Sequence, residues 1–306
     1  MENSLHHLLM TDHTAFHKRI FSALKKEGLT SGQPKVLEYL SKHDGARQKD
    51  IAAACRIEPA TMTSLLCGME KKELINRIRL INSENIGPIT FYRLLRKFGS
   101  AAEALSNLPE RSRTFTERQA AAEIERADAQ GIRLLTPEDK LYPESLRQLN
   151  DAPPILYVRG NAELLNHPLS VSVVGARNAS VNGRKLASRL AYDLTDNDVL
   201  IISGMARGID SAAHKGAMYA KKQNGPTVAV LGTGVDVPYP SENRELYEQI
   251  AAQGAIVSEL PLGTKPQANN FPRRNRIVAA LSSGTLVVEA NLNSGSLITA
   301  RLALEQ

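Results

Sequence analysis

The chain has 306 residues and a formal net charge of +6, enough for two or three domains and a sizeable core, and a basic balance that permits nucleic acid as a partner without requiring it. Its two cysteines, Cys55 and Cys67, exclude a disulfide framework or a zinc quartet and fit a reducing cytosol. The first residues, MENSLHHLLMTDHTAFHKRI, lack a basic stretch followed by an apolar one, and no apolar run approaches the ~18 residues of a membrane helix. A cytoplasmic chain with no membrane partner is expected.

Residues 1–72 read as helical. Leu5, Leu8, Leu9, Phe16, Ile20 and Leu24 recur at helix-like spacing, and SGQPKVLEYLSKH opens a second helix with Pro34 in its first turn. QKDIAAACRI and EPATMTSLLCGMEKK are two short helices around a tight turn, the pattern of a helix-turn-helix. Their order resembles the MarR family of winged-helix regulators, whose recognition helix falls at residues 60–71. The glycine usual after that helix is Glu73 here, and no basic wing or dimerisation helix follows. Both a DNA-contacting unit and an inert helical appendage remain open. His13 and His17 stand one helical turn apart without a third ligand, which reads as structure and not as a metal site.

A second segment, residues 73–130, reads helix, NIGP turn, helix, FGS break, helix. It has the look of a helix-hairpin-helix, in which a glycine turn lets backbone N–H groups approach a phosphate, with Arg93, Arg96 and Lys97 nearby. A three-helix unit that only packs is the other reading.

Residues 131–306 begin with two short strands in GIRLL and ILYVRGN. Apolar runs then fall near 170–174, 199–202, 227–231, 255–258 and 285–289, with helices near 180–195, 209–222, 241–252 and 273–281. Strict alternation predicts an α/β fold: a Rossmann-like, doubly wound parallel sheet, preceded here by small all-α domains. The closing helix, SGSLITARLALEQ, has no strand after it, so the chain is read as truncated at its C-terminus, with an exposed apolar stripe at Leu297, Leu302 and Leu304. Whether residues 1–72 are native to the rest is left open.

Glycine-rich turns follow four of the runs, and in a parallel sheet Gly175, Gly204, Gly232 and Gly295 gather on one edge, where backbone N–H groups and helix N-termini favour an anion. In GARNAS, Gly175 allows the tight turn, Arg177 projects toward the anion, and Ser180 caps a helix or binds a phosphate oxygen. In SGMARGID, Ser203, Gly204 and Gly208 repeat that geometry, while Asp210 and His214 read as a structural pair without a nucleophile. GTGVDVPYP lacks both G-x-G-x-x-G spacing and a Walker lysine, and Tyr239 reads as shaping its loop. FPRRNR offers Phe271 for stacking and Arg273, Arg274 and Arg276 for phosphates. On a helix, residues 273 and 276 share a face and 274 points about 100° away, so at least one arginine is expected to be structural. Ser294, Gly295 and Ser296 form a small anion nest. No catalytic residue, cofactor or metal is assigned.

SVVGARNAS, ISGMARGIDSAAH, VAVLGTGVDVPYP, SELPLG, NNFPRRNRIVAALS and VVEANLNSGSLITARLALEQ follow one another in the order and spacing of the DNA-processing protein family (DprA/Smf), which residues 74–306 resemble. The resemblance implies a non-enzymatic protein that binds single-stranded DNA and loads the RecA recombinase onto it in natural transformation, as a homodimer. Two alternatives stand beside it. One is a nucleotide phosphoribohydrolase of the LOG type, whose glycine pair is Ser282 and Ser283 here. The other is a MarR-like transcription regulator acting through residues 1–72.

Overall fold

The computed structural model describes residues 30, 32–220, 225–291 and 294–305. The expected first helix, with His13 and His17, lies outside the described residues. The chain divides into two compact units, Met1–Leu74 and Ile75–Gln306.

In the first unit, helix α1 (Gln33–Leu40) carries its proline in the first turn, and α2 (Gln48–Cys55) ends at Arg56, whose φ of 53° closes the helix in the left-handed region. Helix α3 starts at Pro59 and runs to Ile81. Val36, Ile51, Ala52, Cys55 and Met62 are buried together, with Ile57 and Leu65 packed against them, so the helix-turn-helix has its own core. The expected break at 72–76 is absent. The sequence MEKKELINRIRLI is made almost wholly of good helix formers, so nothing stops α3 where the hydrophobic pattern changes.

The second unit opens with helices α4 (Pro88–Phe98), α5 (Ala101–Ser106) and α6 (Glu117–Ala129). Gly87 precedes α4, Gly99 ends it at φ 87°, Ser100 Oγ accepts from the Glu103 N–H, and Thr116 and Gln119 form a capping box. Leu80, Phe91, Ala101 and Ala104 form the buried centre of this layer.

A seven-stranded sheet follows, built from β1 (Ile132–Leu135), β2 (Leu156–Gly160), β3 (Ser170–Gly175), β4 (Leu200–Ser203), β5 (Thr227–Val230), β6 (Ala255–Ser258) and β7 (Gly284–Val288). Its order is β1-β2-β6-β5-β4-β3-β7. The five strands from β6 to β7 are parallel, as alternation predicts, but β1 and β2 pair antiparallel and β2 is antiparallel to β6. The sheet is therefore mixed, and the all-parallel expectation holds for its central part. Between strands run α7 (Glu144–Arg147), α8 (Val181–Asp196), α9 (Ile209–Met218), α10 (Arg244–Gln253) and α11 (Asn270–Ala280), and α12 (Gly295–Glu305) follows β7.

Side-chain alternation sorts the strands into two cores. Val174, Ile202, Val228 and Val230 meet Ile277, Val278 and Leu281 on one face, and Val173 and Ile201 meet Ala187, Ala191, Ala213 and Ala217 on the other. On α12, Leu304 is 90% exposed and Ile298 is exposed, while Leu297 and Leu302 are half-buried, so the expected apolar stripe is only partly open.

From β3 the chain steps outward through β4, β5 and β6, then α11 carries it back to β7 on the other side of β3. The reversal between β3 and β7 is a topological switch point, and it opens a crevice beyond the carboxyl ends of those strands.

Candidate nucleic-acid interface

Gly175 ends β3, Gly204 follows β4, Gly232 follows β5 and Gly295 opens α12, so the four turns do share one edge. The edge is tight. A Cβ on Gly175 would lie 1.9 Å from the Val288 carbonyl oxygen, and one on Gly204 would lie 2.5 Å from the Arg274 guanidinium. Gly208 sits at φ 77°, where its Cβ would meet the Ala176 oxygen at 2.2 Å.

Two clefts adjoin there. One, of about 340 Å³, lies at the switch point and is lined by Gly175, Asp210, Arg274, Asn275, Ser294 and Ser296 among others. The other, of about 210 Å³, is lined by Asn178, Arg207, Gly232, Tyr239 and Pro240. Arg177, Gly204, Ala206, Phe271 and Arg274 belong to both. Arg177 is exposed, and its guanidinium carbon lies 5.5 Å from the centroid of the Phe271 ring, a cation–π arrangement. Phe271 is half-buried against Gly232, with the Tyr239 ring centroid 5.5 Å away.

The three arginines of α11 have three different environments. Arg273 is exposed and lines a separate cavity of about 240 Å³ with Gly87, Ile89, Thr90 and Arg276, away from the glycine edge. Arg274 is buried. Its Nη1 donates to the Gly204 oxygen at 2.5 Å and to the Val230 oxygen, and its Nε to Asn275 Oδ1 at 3.2 Å. It ties the ends of β4 and β5 together beneath the clefts, so the expected outward phosphate contact is corrected: carbonyl oxygens already take these donors. Burial pushes its guanidinium down to about 10, with the Asp210 charge opposing. Arg276 is also buried, its Nε 3.2 Å from Asp151 Oδ2 and its Nη2 bonded to Glu259, and this too replaces the expected phosphate contact. Residues 273 and 276 do share one face and 274 another, as helical spacing requires.

Two serines also differ from expectation. Ser203 is fully buried and its Oγ donates to the Val173 oxygen at 2.6 Å, a cross-strand tie with no path to a ligand. Ser180 caps α8 by accepting from the Gly183 N–H, but its own N–H and Oγ–H are taken by the Glu289 carboxylate at 2.8–3.0 Å. The protein thus supplies its own anion at this helix start. These bonds lower the Glu289 pKa, and Glu289 itself sits at φ 54°. Ser294 and Ser296 hydroxyls are 2.7 Å apart at the start of α12, and the Gly295 oxygen accepts from Asn275 Nδ2.

Asp210 and His214 do not pair with each other. The Asp210 carboxylate accepts the Ala206 N–H at 3.2 Å, and burial raises its pKa while Arg274 opposes. Thr227 Oγ1 donates to the Ile201 oxygen, so His214 Nδ1, 2.9 Å away, carries the proton and donates to Thr227. His214 Nε2 is buried without a partner, and burial lowers the ring to about 3. Ser282 and Ser283 lie at the opposite, amino end of β7, remote from the clefts. Sequence reasoning missed the placement of Tyr239 and Arg207 in the second cleft. An aromatic residue in a loop already assigned to the glycine edge was the available signal.

A model of the DNA recombination-mediator protein A family matches residues 133–306. The chain belongs to that family. A model of the DprA-like N-terminal HHH domain matches residues 71–130, and a MarR family model matches residues 29–83. Among curated relatives of this family member, DNA processing protein DprA of Streptococcus pneumoniae is 44% identical over 168 residues, 55% of this chain and 58% of the relative. Protein Smf of Synechocystis sp. is 43% identical over 188 residues, 60% of this chain and 46% of the relative. The chain thus spans about half the length of the curated relatives it matches. The crystal structure of the S. pneumoniae protein superimposes with a TM-score of 0.56 at 32% identity, covering 92% of this chain and 81% of that one. DNA processing protein A of Helicobacter pylori, solved to describe its single-stranded DNA binding mode, gives 0.52 at 33% identity over 57% of this chain and 76% of its own. Among the described residues, no helix is long and apolar enough to cross a membrane.

Proposed function

We propose that this protein binds single-stranded DNA by its backbone across the two clefts of the glycine edge, performs no chemistry on it, and presents it to the RecA recombinase in the cytoplasm as a homodimer. The observation that carries this reading is Arg177: an exposed cation held over an aromatic ring at the switch point, with the buried Arg274 adding positive charge beneath. A cleft of this kind suits a phosphate backbone flanked by bases that stack. The S. pneumoniae and H. pylori relatives supply the DNA-processing context, the latter through its single-stranded DNA binding mode.

The test is binding of labelled single-stranded and duplex DNA of equal length over a range of salt. Tighter binding of the single strand, with little dependence on base sequence, is expected. Preference for a particular duplex, lost on changing residues 60–71, would support the regulator reading, which the formed core of the helix-turn-helix keeps available. RecA filament assembly on a single strand should start faster when the protein is present. Nucleoside monophosphates should release no free base.

A further inference from the structure

We infer that Tyr239, and not Phe271, is the ring on which a base of the bound strand stacks, and that Phe271 is a positioning residue that holds Arg177 over the cleft. The inference rests on the single-strand reading above. A base sandwiched between the two rings would stack on each, which needs parallel rings separated by two stacking distances. The rings are 5.5 Å apart and inclined by 36°, so they are in contact with each other and leave no slot between them. A base must therefore use one ring from outside.

Phe271 is already surrounded. A Cβ on Gly232 would come within 2.7 Å of its ring, Tyr239 stands beside it, and the Arg177 guanidinium lies over it. Stacking a base on Phe271 requires displacing Arg177, the cation that meets the phosphate. Tyr239 requires no such displacement. It is 39% exposed and lines the smaller cleft beside Arg177 and Arg207. Its loop is fixed from behind. Thr233 Oγ1 donates to the Val237 oxygen at 2.8 Å, the Val237 N–H to the Gly234 oxygen at 2.9 Å, and the Gly263 N–H to Asp236 Oδ1 at 2.7 Å. A rigid exposed ring at the mouth of a cationic cleft is what a sequence-tolerant stacking platform requires. Arg207 faces Glu242, so Arg177 is the cleft's principal exposed cation.

The experiment compares a short oligothymidylate with an abasic strand of equal length, using the full chain and its Tyr239→Leu, Tyr239→Phe and Phe271→Leu variants. The wild type should prefer the base-bearing strand by a factor between about fivefold and a hundredfold. Tyr239→Leu should abolish that preference and leave the salt dependence unchanged, and Tyr239→Phe should retain it. Phe271→Leu should weaken both strands equally, keep the preference and flatten the salt dependence. In the Phe271→Leu, Arg177→Ala double variant the loss should not exceed that of Arg177→Ala alone. Loss of the preference in Phe271→Leu, or its survival in Tyr239→Leu, overturns the inference. A wild type that binds both strands alike overturns the stacking but not the single-strand reading, and one that binds neither overturns both. Thermal melting of each variant separates a local effect from a folding defect.

Discussion

Three arginines in six residues of α11 share a sequence motif but not a chemistry. Helical spacing separated Arg274 from its neighbours, yet it could not show that the Gly204 and Val230 carbonyls at two strand ends need a donor. That demand arises only once β4 and β5 are paired and α11 is packed over them. Arg274→Met should leave Asp210 buried without its cation and cost about 3–5 kcal/mol, read by urea denaturation. Unchanged stability with weakened DNA binding would instead make Arg274 a phosphate contact. His214 offers a pH test. Its folded pKa of about 3 lies below the 6.5 of an unfolded histidine, so between those values the unfolded chain binds the extra proton and stability falls as pH falls. His214→Asn should flatten the pH dependence of stability between pH 6.5 and 3, whatever its effect at neutral pH. An unchanged slope would mean that the ring is protonated in the folded state.

At the scale of elements, the glycine turns were legible because an apolar run followed by glycine at a strand end has few other uses. What they hold was less legible. Ser180 stood at a helix start as an anion ligand, but Glu289, 109 residues later, reaches that helix start first through the β3–β7 pairing. Glu289→Gln should lower the melting temperature at neutral pH. The carboxylate's folded pKa is depressed, so its contribution is present above the unfolded pKa and lost as pH falls through the folded one, and the two proteins should converge in acid. A difference that persists in acid would show that the ionised form is not what matters. Gly175→Ala forces a Cβ into the Val288 carbonyl and should cost about 1–3 kcal/mol by equilibrium unfolding, with the β3–β7 crevice distorted. An unchanged stability would mean that this strand pair can separate without penalty.

At the scale of the whole molecule, the five central strands and the helices between them follow from alternating patterns, and so does the gathering of the turns on one edge. The two antiparallel edge strands do not, because β1 and β2 are short and sit either side of a proline-rich connection that gives no sign of direction. The unbroken α3 was hidden for a related reason: a change of hydrophobic pattern marks a change of packing partner and not an end of helix. The reversal of strand order between β3 and β7, which makes the crevice, is a property of the assembled sheet. The central claim is that this crevice holds a DNA backbone through Arg177. The most direct measurement is the affinity for a homopolymer single strand at several salt concentrations, for the wild type and Arg177→Ala. Loss of one phosphate contact should weaken binding and flatten the log–log salt slope by about 0.7, equally for any base. Wild-type affinity and slope in Arg177→Ala would contradict the account and place the strand elsewhere.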